Sequence, residues 1–161
     1  MLLGVVSDSH GRNVTVGLAL EELRRRGVQT VLHCGDIDDE STIALFRDFT
    51  AHFVFGNCDY DREGLAAAIA AIGATLHEGW GQLELEGVKI AFLHGDDSRL
   101  KRDVENSGHF DFLFYGHTHV PEEHRIGPTR VINPGALHRA RPKTFLVLDL
   151  PAGNVEQIAL D

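Results

Sequence analysis

Short apolar runs alternate with amphipathic stretches through the first half of the chain. The run at 2–7 is apolar and short, as is typical of a strand buried on both faces. Asn13 is a predicted helix cap, and the helical spacing that follows at 14–26 ends at Gly27. Further strands are predicted at 30–33 and 52–55, and further helices at 41–49 and 64–72. This order predicts parallel strands joined by crossover helices.

The second half of the chain changes to shorter elements with alternating polarity. Segments 82–86 and 89–93 lie on either side of Gly87 and predict a hairpin. A short helix is predicted at 98–107, and further strands at 110–115, 123–126, 130–132, 145–150 and 155–159. We therefore expect an α/β fold with mixed sheets, in which parallel pairs come first, antiparallel pairs come later and the helices lie outside.

Composition narrows the class of protein. The chain has 161 residues, of which 43% are hydrophobic and 24% charged, so we expect one globular domain over 1–161. A formal net charge of −9 argues against a general nucleic-acid binder and against anchoring on an anionic membrane. Two cysteines do not make a disulfide framework, and no basic segment precedes the first apolar run. We expect a cytoplasmic protein.

Acidic, amide and imidazole side chains follow the ends of five predicted strands, usually beside a glycine. They lie in the segments Asp8-Ser9-His10, Gly35-Asp36, Gly56-Asn57-Cys58-Asp59, His94-Gly95-Asp96 and Gly116-His117-Thr118-His119. Ligands of open α/β sheets bind at the carboxyl ends of the strands, so these five segments are expected to converge.

The convergent side chains are typical of a metal site. Imidazole nitrogens and carboxylate or amide oxygens suit manganese, iron, cobalt, nickel or zinc. The candidate ligands are Asp8, His10, Asp36, Asn57, His94, His117 and His119. Seven ligands are too many for one ion, whereas two ions about 3.5–4 Å apart that share a carboxylate would use them all. The alternative, that they are polar loop residues and caps, has to explain five coincidences.

This set of motifs resembles the calcineurin-like metallophosphoesterase family. The short chain and the variant Gly56-Asn57-Cys58-Asp59 resemble its small bacterial and archaeal phosphodiesterases. Asn133-Pro134-Gly135 also resembles a segment near the end of that subfamily, so the resemblance extends from Val5 to about Gly135. It implies a four-layer α/β/β/α sandwich with mixed sheets.

The resemblance also implies functions for single residues. One metal ion would be held by Asp8, His10, Asp36 and His119, and a second by Asp36, Asn57, His94 and His117, with Asp36 bridging. The implied catalytic residues are Asp36, Asn57 and His117, and the implied substrate-binding residues are Asn57 and Cys58. The cofactor is expected to be two divalent ions, manganese first, with nickel, cobalt, iron or zinc also suitable. The implied reaction is hydrolysis of a phosphodiester by a hydroxide that bridges both ions.

Cys58 departs from the family pattern, because many relatives have a histidine there that is assigned to the phosphate or the leaving group. A thiol has an ordinary pKa of about 8.5 and its S–H group is a weak donor. We therefore expect activity to depend on substrates with good leaving groups, such as aryl phosphodiesters. Another histidine remains open as the acid, and His138 lies near a loop that could approach the site. For Asp59, a capping function and a contact that supports the ligands both remain open.

Two classes of function follow. The first is a binuclear metal-dependent phosphodiesterase that acts on a small phosphodiester. The second is a catalytically weak scaffold of the same fold that binds a protein partner, as in the retromer subunit that resembles this family. All seven ligand positions are filled, which favours the enzyme. A third hypothesis, with less support, is a metal-dependent hydrolase of a non-phosphate ester. We expect no membrane partner and no strong nucleic-acid binding, and a homo-oligomer remains open.

Overall fold

The computed structural model describes residues 1–160, which form eleven strands and four helices. The strands are β1 (Leu2–Val6), β2 (Thr30–His33), β3 (Thr50–Phe53), β4 (Thr75–Leu76), β5 (Trp80–Leu85), β6 (Val88–Leu93), β7 (Phe112–Phe114), β8 (Glu122–Ile126), β9 (Thr129–Asn133), β10 (Lys143–Asp149) and β11 (Asn154–Leu160). The helices are α1 (Asn13–Arg25), α2 (Glu40–Ala44), α3 (Arg62–Ala71) and α4 (Ser98–Glu105). Among these residues, no helix has both the length and the apolar sequence that crossing a bilayer requires.

The strands form two mixed sheets. The first sheet has the order β11-β10-β1-β2-β3-β4, in which β1 to β4 are parallel and β10 and β11 are antiparallel to their neighbours. The second has the order β5-β6-β7-β9-β8, in which β6, β7 and β9 are parallel. The expected mixed sheets are confirmed, but the second half of the chain also contains parallel pairs, β6 with β7 and β7 with β9, beside its antiparallel ones. Both α4 and the hairpin strand β8 carry the chain back, so the next strand starts at the same end of the sheet.

Three apolar cores separate four layers, α/β/β/α. Side chains of a strand alternate between its faces, so each fully apolar strand supplies two cores. In β1, Leu3 and Val5 pack against the second sheet, whereas Val6 packs against the helices α1 to α3. In β7, Phe112 faces the first sheet and Leu113 packs against α4. The expected four-layer sandwich is thus the observed fold.

Two local predictions are wrong. Asn13 does not cap α1, because Arg12 takes the capping position and no side chain bonds the first turn. The Asn13 side chain instead donates to Ser41 Oγ at 2.6 Å and accepts from Thr42 Oγ1 at 2.7 Å, which joins α1 to α2. The second helix ends well before residue 49, because the chain turns after α2 to bury Phe46 in the core under the helices.

Candidate metal centre

The loops that follow β1, β2, β3, β6 and β7 meet at one edge of the two sheets. Backbone hydrogen bonds join them: the Asp8 N–H donates to the Gly35 carbonyl at 3.1 Å, and the Gly116 N–H donates to the His94 carbonyl at 2.9 Å. All seven predicted metal ligands lie in these loops. Asn57 and His117 are exposed there, so the cluster is open to solvent on one side.

Asp8, His10 and His119 form a first group, whose nearest ligand atoms all lie within 4.8 Å of one another. His119 Nε2 lies 3.1 Å from Asp8 Oδ1, and His10 Nε2 lies 3.9 Å from the same oxygen. His10 Nε2 also lies 3.5 Å from Asp36 Oδ2. These donors face a common point, as the ligands of one ion would.

Asp36 also faces a second group, made by Asn57, His94 and His117. His94 Nε2 lies 3.2 Å from Asp36 Oδ2 and 3.0 Å from Asn57 Oδ1. His117 Nδ1 lies 3.2 Å from the same amide oxygen. Asp36 Oδ2 therefore lies between the two groups, which is the position that a bridging carboxylate requires.

Two buried polar atoms of the first group test whether a metal fits. Asp8 Oδ1 and His10 Nε2 are both buried, and neither makes a hydrogen bond of normal geometry among residues 1–160, although His119 Nε2 lies 3.1 Å from Asp8 Oδ1. Leaving such an atom unsatisfied costs about 1–3 kcal/mol, so native structures rarely do so without a reason. A carboxylate oxygen and an imidazole nitrogen that point at the same place are suitable ligands for a divalent cation. The residues therefore fit a metal site.

The opposite nitrogens of two predicted ligands are hydrogen-bonded to the protein. His10 Nδ1 lies 2.9 Å from Asp38 Oδ2, and His94 Nδ1 lies 2.8 Å from the Cys34 carbonyl oxygen. Each contact assigns a proton to Nδ1, so Nε2 is the nitrogen that faces the cluster. Metal-binding histidines in proteins are usually oriented by such contacts.

The backbone of the cluster is unusual. Five of the predicted ligands are non-glycine residues with positive φ, namely Asp8 (52°), His10 (44°), Asp36 (56°), His117 (68°) and His119 (63°). Residues other than glycine rarely adopt this left-handed conformation, and they do so most often at functional sites. The conformation turns the chain sharply after each strand, so that side chains two residues apart both enter the cluster.

Two glycines make room for the predicted carboxylate ligands. A Cβ atom at Gly56 would overlap Asp36 Oδ1, and one at Gly116 would overlap Asp8 Oδ2. Alanine at either position would displace a carboxylate. Gly56 and Gly116 are thus required by close approach.

Asp59 supports the loops after β2 and β3. Its carboxylate is buried and accepts hydrogen bonds from the backbone N–H groups of Asp36, Ile37, Asp38 and Gly56, at 2.7–2.9 Å. The sequence left its function open between a cap and a supporting residue, and the structure shows a supporting residue.

Asn133 and His33 support the cluster in ways that local sequence does not reveal. The buried Asn133 amide donates to the Gly116 carbonyl at 2.9 Å and to Thr118 Oγ1 at 3.0 Å. His33 is fully buried with Nε2 2.8 Å from Ser9 Oγ, and burial lowers its pKa to about 4. Only the resemblance of the Asn133-Pro134-Gly135 segment pointed to Asn133, and no signal pointed to His33.

Charges within the cluster are strongly coupled. Burial alone would raise the pKa of Asp36, but His94 and the Cys58 N–H group outweigh it and lower that pKa to about 2. Burial would lower the pKa of His94, but Asp36 and Asp8 outweigh it and raise that pKa to about 9. Without metal, His94 is therefore protonated at neutral pH, and a metal that binds Nε2 has to release that proton.

Cys58 lies at the edge of the cluster. Its Sγ shares a group with His10 and Asp36 in which all ligand atoms lie within 4.8 Å. Its backbone N–H donates to Asp36 Oδ1 at 2.9 Å, and the Asn57 amide nitrogen lies 3.7 Å from the sulfur. Burial and the charge of Asp36 raise the pKa of Cys58 to about 11, so the thiol is protonated at neutral pH.

Comparison with known proteins agrees with this geometry. The family model of the calcineurin-like phosphoesterase superfamily domain matches residues 1–153. Phosphodiesterase MJ0936 of Methanocaldococcus jannaschii is 29% identical over 138 residues, which cover 84% of this chain and 83% of that protein.

Solved structures extend the likeness to the whole fold. The structure of an archaeal phosphodiesterase superposes with a TM-score of 0.92 at 27% identity, covering 99% of this chain and 100% of that one. Vps29 of Entamoeba histolytica, solved in complex with Zn²⁺, superposes with a TM-score of 0.68 at 21% identity, covering 100% of this chain and 99% of that one. At that identity the second likeness concerns the fold alone.

Proposed function

Since the chain belongs to the calcineurin-like phosphoesterase superfamily, we propose that it is a phosphodiesterase that depends on two divalent metal ions. The observation that carries this proposal is the pair of buried, unpartnered atoms Asp8 Oδ1 and His10 Nε2 within a convergent set of predicted ligands. A catalytically inactive cluster of capping residues would have no reason to keep both atoms unsatisfied.

The proposed ligands divide into the two groups that share Asp36. Asp8, His10, Asp36 and His119 would hold one ion, and Asp36, Asn57, His94 and His117 would hold the other. Two such ions supply Lewis-acid activation of water and neutralise the charge that develops on the phosphoryl oxygens. Manganese is the first candidate, and nickel, cobalt, iron and zinc suit the same donors.

Asn57 and His117 face the solvent-exposed side of the cluster and are therefore the residues that a substrate reaches. The Asn57 amide oxygen points at His94 and His117, which leaves its NH₂ group with only the long contact to Cys58 Sγ. A phosphoryl oxygen is a better acceptor than a thiol sulfur, so this NH₂ group is available to orient the substrate. The proposed function of Asn57 is thus to bind both metal and phosphate.

The Cys58 thiol is a poor proton donor for a leaving group. Its raised pKa keeps the proton on sulfur, so an alkoxide would leave without fast protonation by this residue. A phenolate leaves without that help. The proposed substrate is therefore a small phosphodiester with a good leaving group, and aryl diesters are the substrates with which to detect the activity.

Hydrolysis of bis(p-nitrophenyl) phosphate by metal-stripped protein, with and without added Mn²⁺, tests the proposal. We expect turnover only with metal, binding of about two Mn²⁺ per chain by calorimetry, and loss of turnover in His117→Ala. His109→Ala is the matched control, because His109 is an exposed histidine outside the cluster. Turnover that persists in metal-stripped protein, or in His117→Ala, would contradict the proposal.

The same assay separates the other two classes of function. If the intact protein shows no turnover with Mn²⁺, Ni²⁺, Co²⁺ or Zn²⁺, the scaffold becomes the better explanation. If the protein hydrolyses carboxylic esters and neither inorganic phosphate nor vanadate competes, a hydrolase of non-phosphate esters becomes the better explanation. Both outcomes would count against the diesterase.

A further inference from the structure

A cluster of cations stands beside the candidate metal centre in an otherwise acidic chain. Residues 138–143 read His-Arg-Ala-Arg-Pro-Lys, whereas the whole chain has a formal net charge of −9. Together with Ala140, the side chains His138, Arg139, Arg141 and Lys143 line an open cavity of about 560 Å³. We call this the arginine cavity.

The arginine cavity adjoins the metal centre directly. The His138 ring, which forms one wall, lies with its centroid 5.4 Å from that of the predicted ligand His10. A molecule bound at the metal centre therefore has the cationic cavity as its neighbour on the His10 side.

The loop that carries the cations is fixed at both ends. On one side the Leu137 N–H donates to the Ser7 carbonyl at 3.2 Å, next to the predicted ligand Asp8. On the other side the Thr144 N–H donates to the Ala136 carbonyl at 3.2 Å, and Thr144 Oγ1 donates to the Pro134 carbonyl at 2.8 Å. The position of the loop relative to the metal centre is thus set by the fold.

Among the described residues, the two arginines of the loop have no carboxylate partner. Within residues 1–160, neither Arg139 nor Arg141 has a carboxylate oxygen within 4.0 Å, although both are exposed. The arginines at the end of α1 contrast with them, because Arg25 and Arg26 both pair with Glu22. Guanidinium groups form paired hydrogen bonds to phosphate oxygens, so two unpaired ones at a cavity mouth suit a phosphate group.

We infer that the arginine cavity binds a second phosphate group of the substrate, one that is joined by a short spacer to the phosphodiester cleaved at the metal centre. This inference deepens the proposed function and rests on it. It assigns the substrate to the class of phosphodiesters that carry an additional terminal phosphate. The cavity also explains how an acidic protein attracts a multiply charged anion, because local cations act at shorter range than the net charge.

Binding is tested with two nucleotides that differ in one phosphate. Calorimetry on the Mn²⁺-loaded protein compares thymidine 3′,5′-bisphosphate with thymidine 5′-phosphate. We expect the bisphosphate to bind about tenfold more tightly, and the double variant Arg139→Gln/Arg141→Gln to remove the difference. The matched control is Arg47→Gln/Arg125→Gln, which removes the same charge from two exposed arginines next to the starts of β3 and β9, at the opposite ends of the sheets from the centre.

Kinetics with chromogenic substrates adds a readout of catalysis. Thymidine 5′-(p-nitrophenyl phosphate) and its 3′-phosphorylated form share one scissile bond, and we expect kcat/KM to be about tenfold higher for the 3′-phosphorylated form. The arginine double variant should lose this ratio but keep its turnover of bis(p-nitrophenyl) phosphate.

Each outcome decides one of the two proposals. Equal affinities of the wild-type protein for both nucleotides, or a preference that survives in the arginine double variant, would overturn the inference even if bis(p-nitrophenyl) phosphate is hydrolysed. A binding preference that is lost in the double variant supports the arginine cavity. If no diester is hydrolysed while that preference is present, the proposed function fails and the cavity is still a phosphate site.

Discussion

The two stacked sheets contribute different chemistry to the candidate metal centre. Loops of the first sheet carry the predicted oxygen ligands, Asp8, Asp36 and Asn57, together with His10. Loops of the second sheet carry only predicted nitrogen ligands, from His94, His117 and His119. The residues that hold these loops in place also differ between the two sheets. A buried carboxylate, Asp59, holds the first-sheet loops after β2 and β3, whereas the neutral amide of Asn133 holds the loop after β7 in the second sheet.

Because its predicted ligands come from both sheets, the candidate centre lies at the interface between them. Each proposed ion would draw oxygen from one sheet and nitrogen from the other, so metal would strengthen a connection that the apolar core and contacts such as that of His94 with the Cys34 carbonyl already make. The carboxylates of the first sheet also determine the charge of the second, because Asp36 and Asp8 raise the pKa of His94. Substitutions at single residues of the two sheets test how much each sheet contributes.

The largest effect is expected at Asp36, since its Oδ2 faces both groups. Asp36→Asn should lower turnover of bis(p-nitrophenyl) phosphate by about 10²–10³-fold, because the amide removes the charge that the two ions share. Calorimetry should also show fewer than about two Mn²⁺ per chain. Asp48→Asn, at an exposed carboxylate, is the control. Full metal occupancy in Asp36→Asn would contradict the bridging position.

The two supports provide the next test. Asp59→Ala should destabilise the metal-free protein by about 3 kcal/mol, because it leaves four backbone donors without their carboxylate. Asn133→Ala should cost less, about 1–2 kcal/mol, because a neutral amide makes weaker hydrogen bonds. Urea unfolding in the presence of a chelator measures both values. A larger loss in Asn133→Ala would reverse the proposed difference between the sheets.

We expect low pH to destabilise the protein, because histidines of the first sheet are held neutral in the folded state. Burial, and then the charge of His77, lowers the pKa of His52 from 6.5 to about 4. As the pH falls from 6.5 toward 4, the unfolded chain binds a proton at His52 that the folded chain does not. The stability that the neutral His52 contributes is therefore fully present above pH 6.5 and is lost as the pH falls toward 4.

Urea unfolding of the metal-free protein between pH 4 and pH 7 measures the slope of this loss. His52→Gln should reduce it by about one proton, and the exposed His109→Gln should leave it unchanged. The buried His33 has a pKa lowered to about 4 in the same way, so some slope should remain in His52→Gln. An identical slope in His52→Gln and the wild type would show that His52 is not held neutral.

The sequence predicts the convergence of the seven candidate ligands because their segments follow strand ends, usually with a glycine nearby, which is a local pattern. It predicts the supports poorly because their contacts are distant along the chain. Asp59 looks like an ordinary turn residue, and only folding shows that it reaches the N–H groups of Asp36 to Asp38. Asn133 likewise meets Gly116 across seventeen positions.

The fold, like the site, is predicted from sequence only where the pattern is local. The apolar runs predict strands, and their order predicts the parallel first sheet, because strand–helix alternation leaves few topologies. The parallel strands β6, β7 and β9 were not predicted, because β8 pairs with β9 as a hairpin and hides the parallel relation between β7 and β9. The arginine cavity depends on where the loop after residue 137 is fixed, which the sequence alone does not state.

The smallest effect is expected at Cys58, where a first-sheet loop carries a thiol in place of a nitrogen donor. Cys58→His would place an imidazole beside Asp36 and make this loop resemble those of the second sheet. With an ordinary pKa near about 6.5, the imidazolium protonates a leaving oxygen better than a thiol whose pKa is raised to about 11. Alkyl phosphodiesters should therefore gain about tenfold in kcat/KM, whereas bis(p-nitrophenyl) phosphate, whose phenolate leaves unaided, should change little. Cys58→Ser is the matched control, because a hydroxyl of similar size is no better an acid. Equal gains for both substrates would show that position 58 acts on phosphate binding rather than on the leaving group.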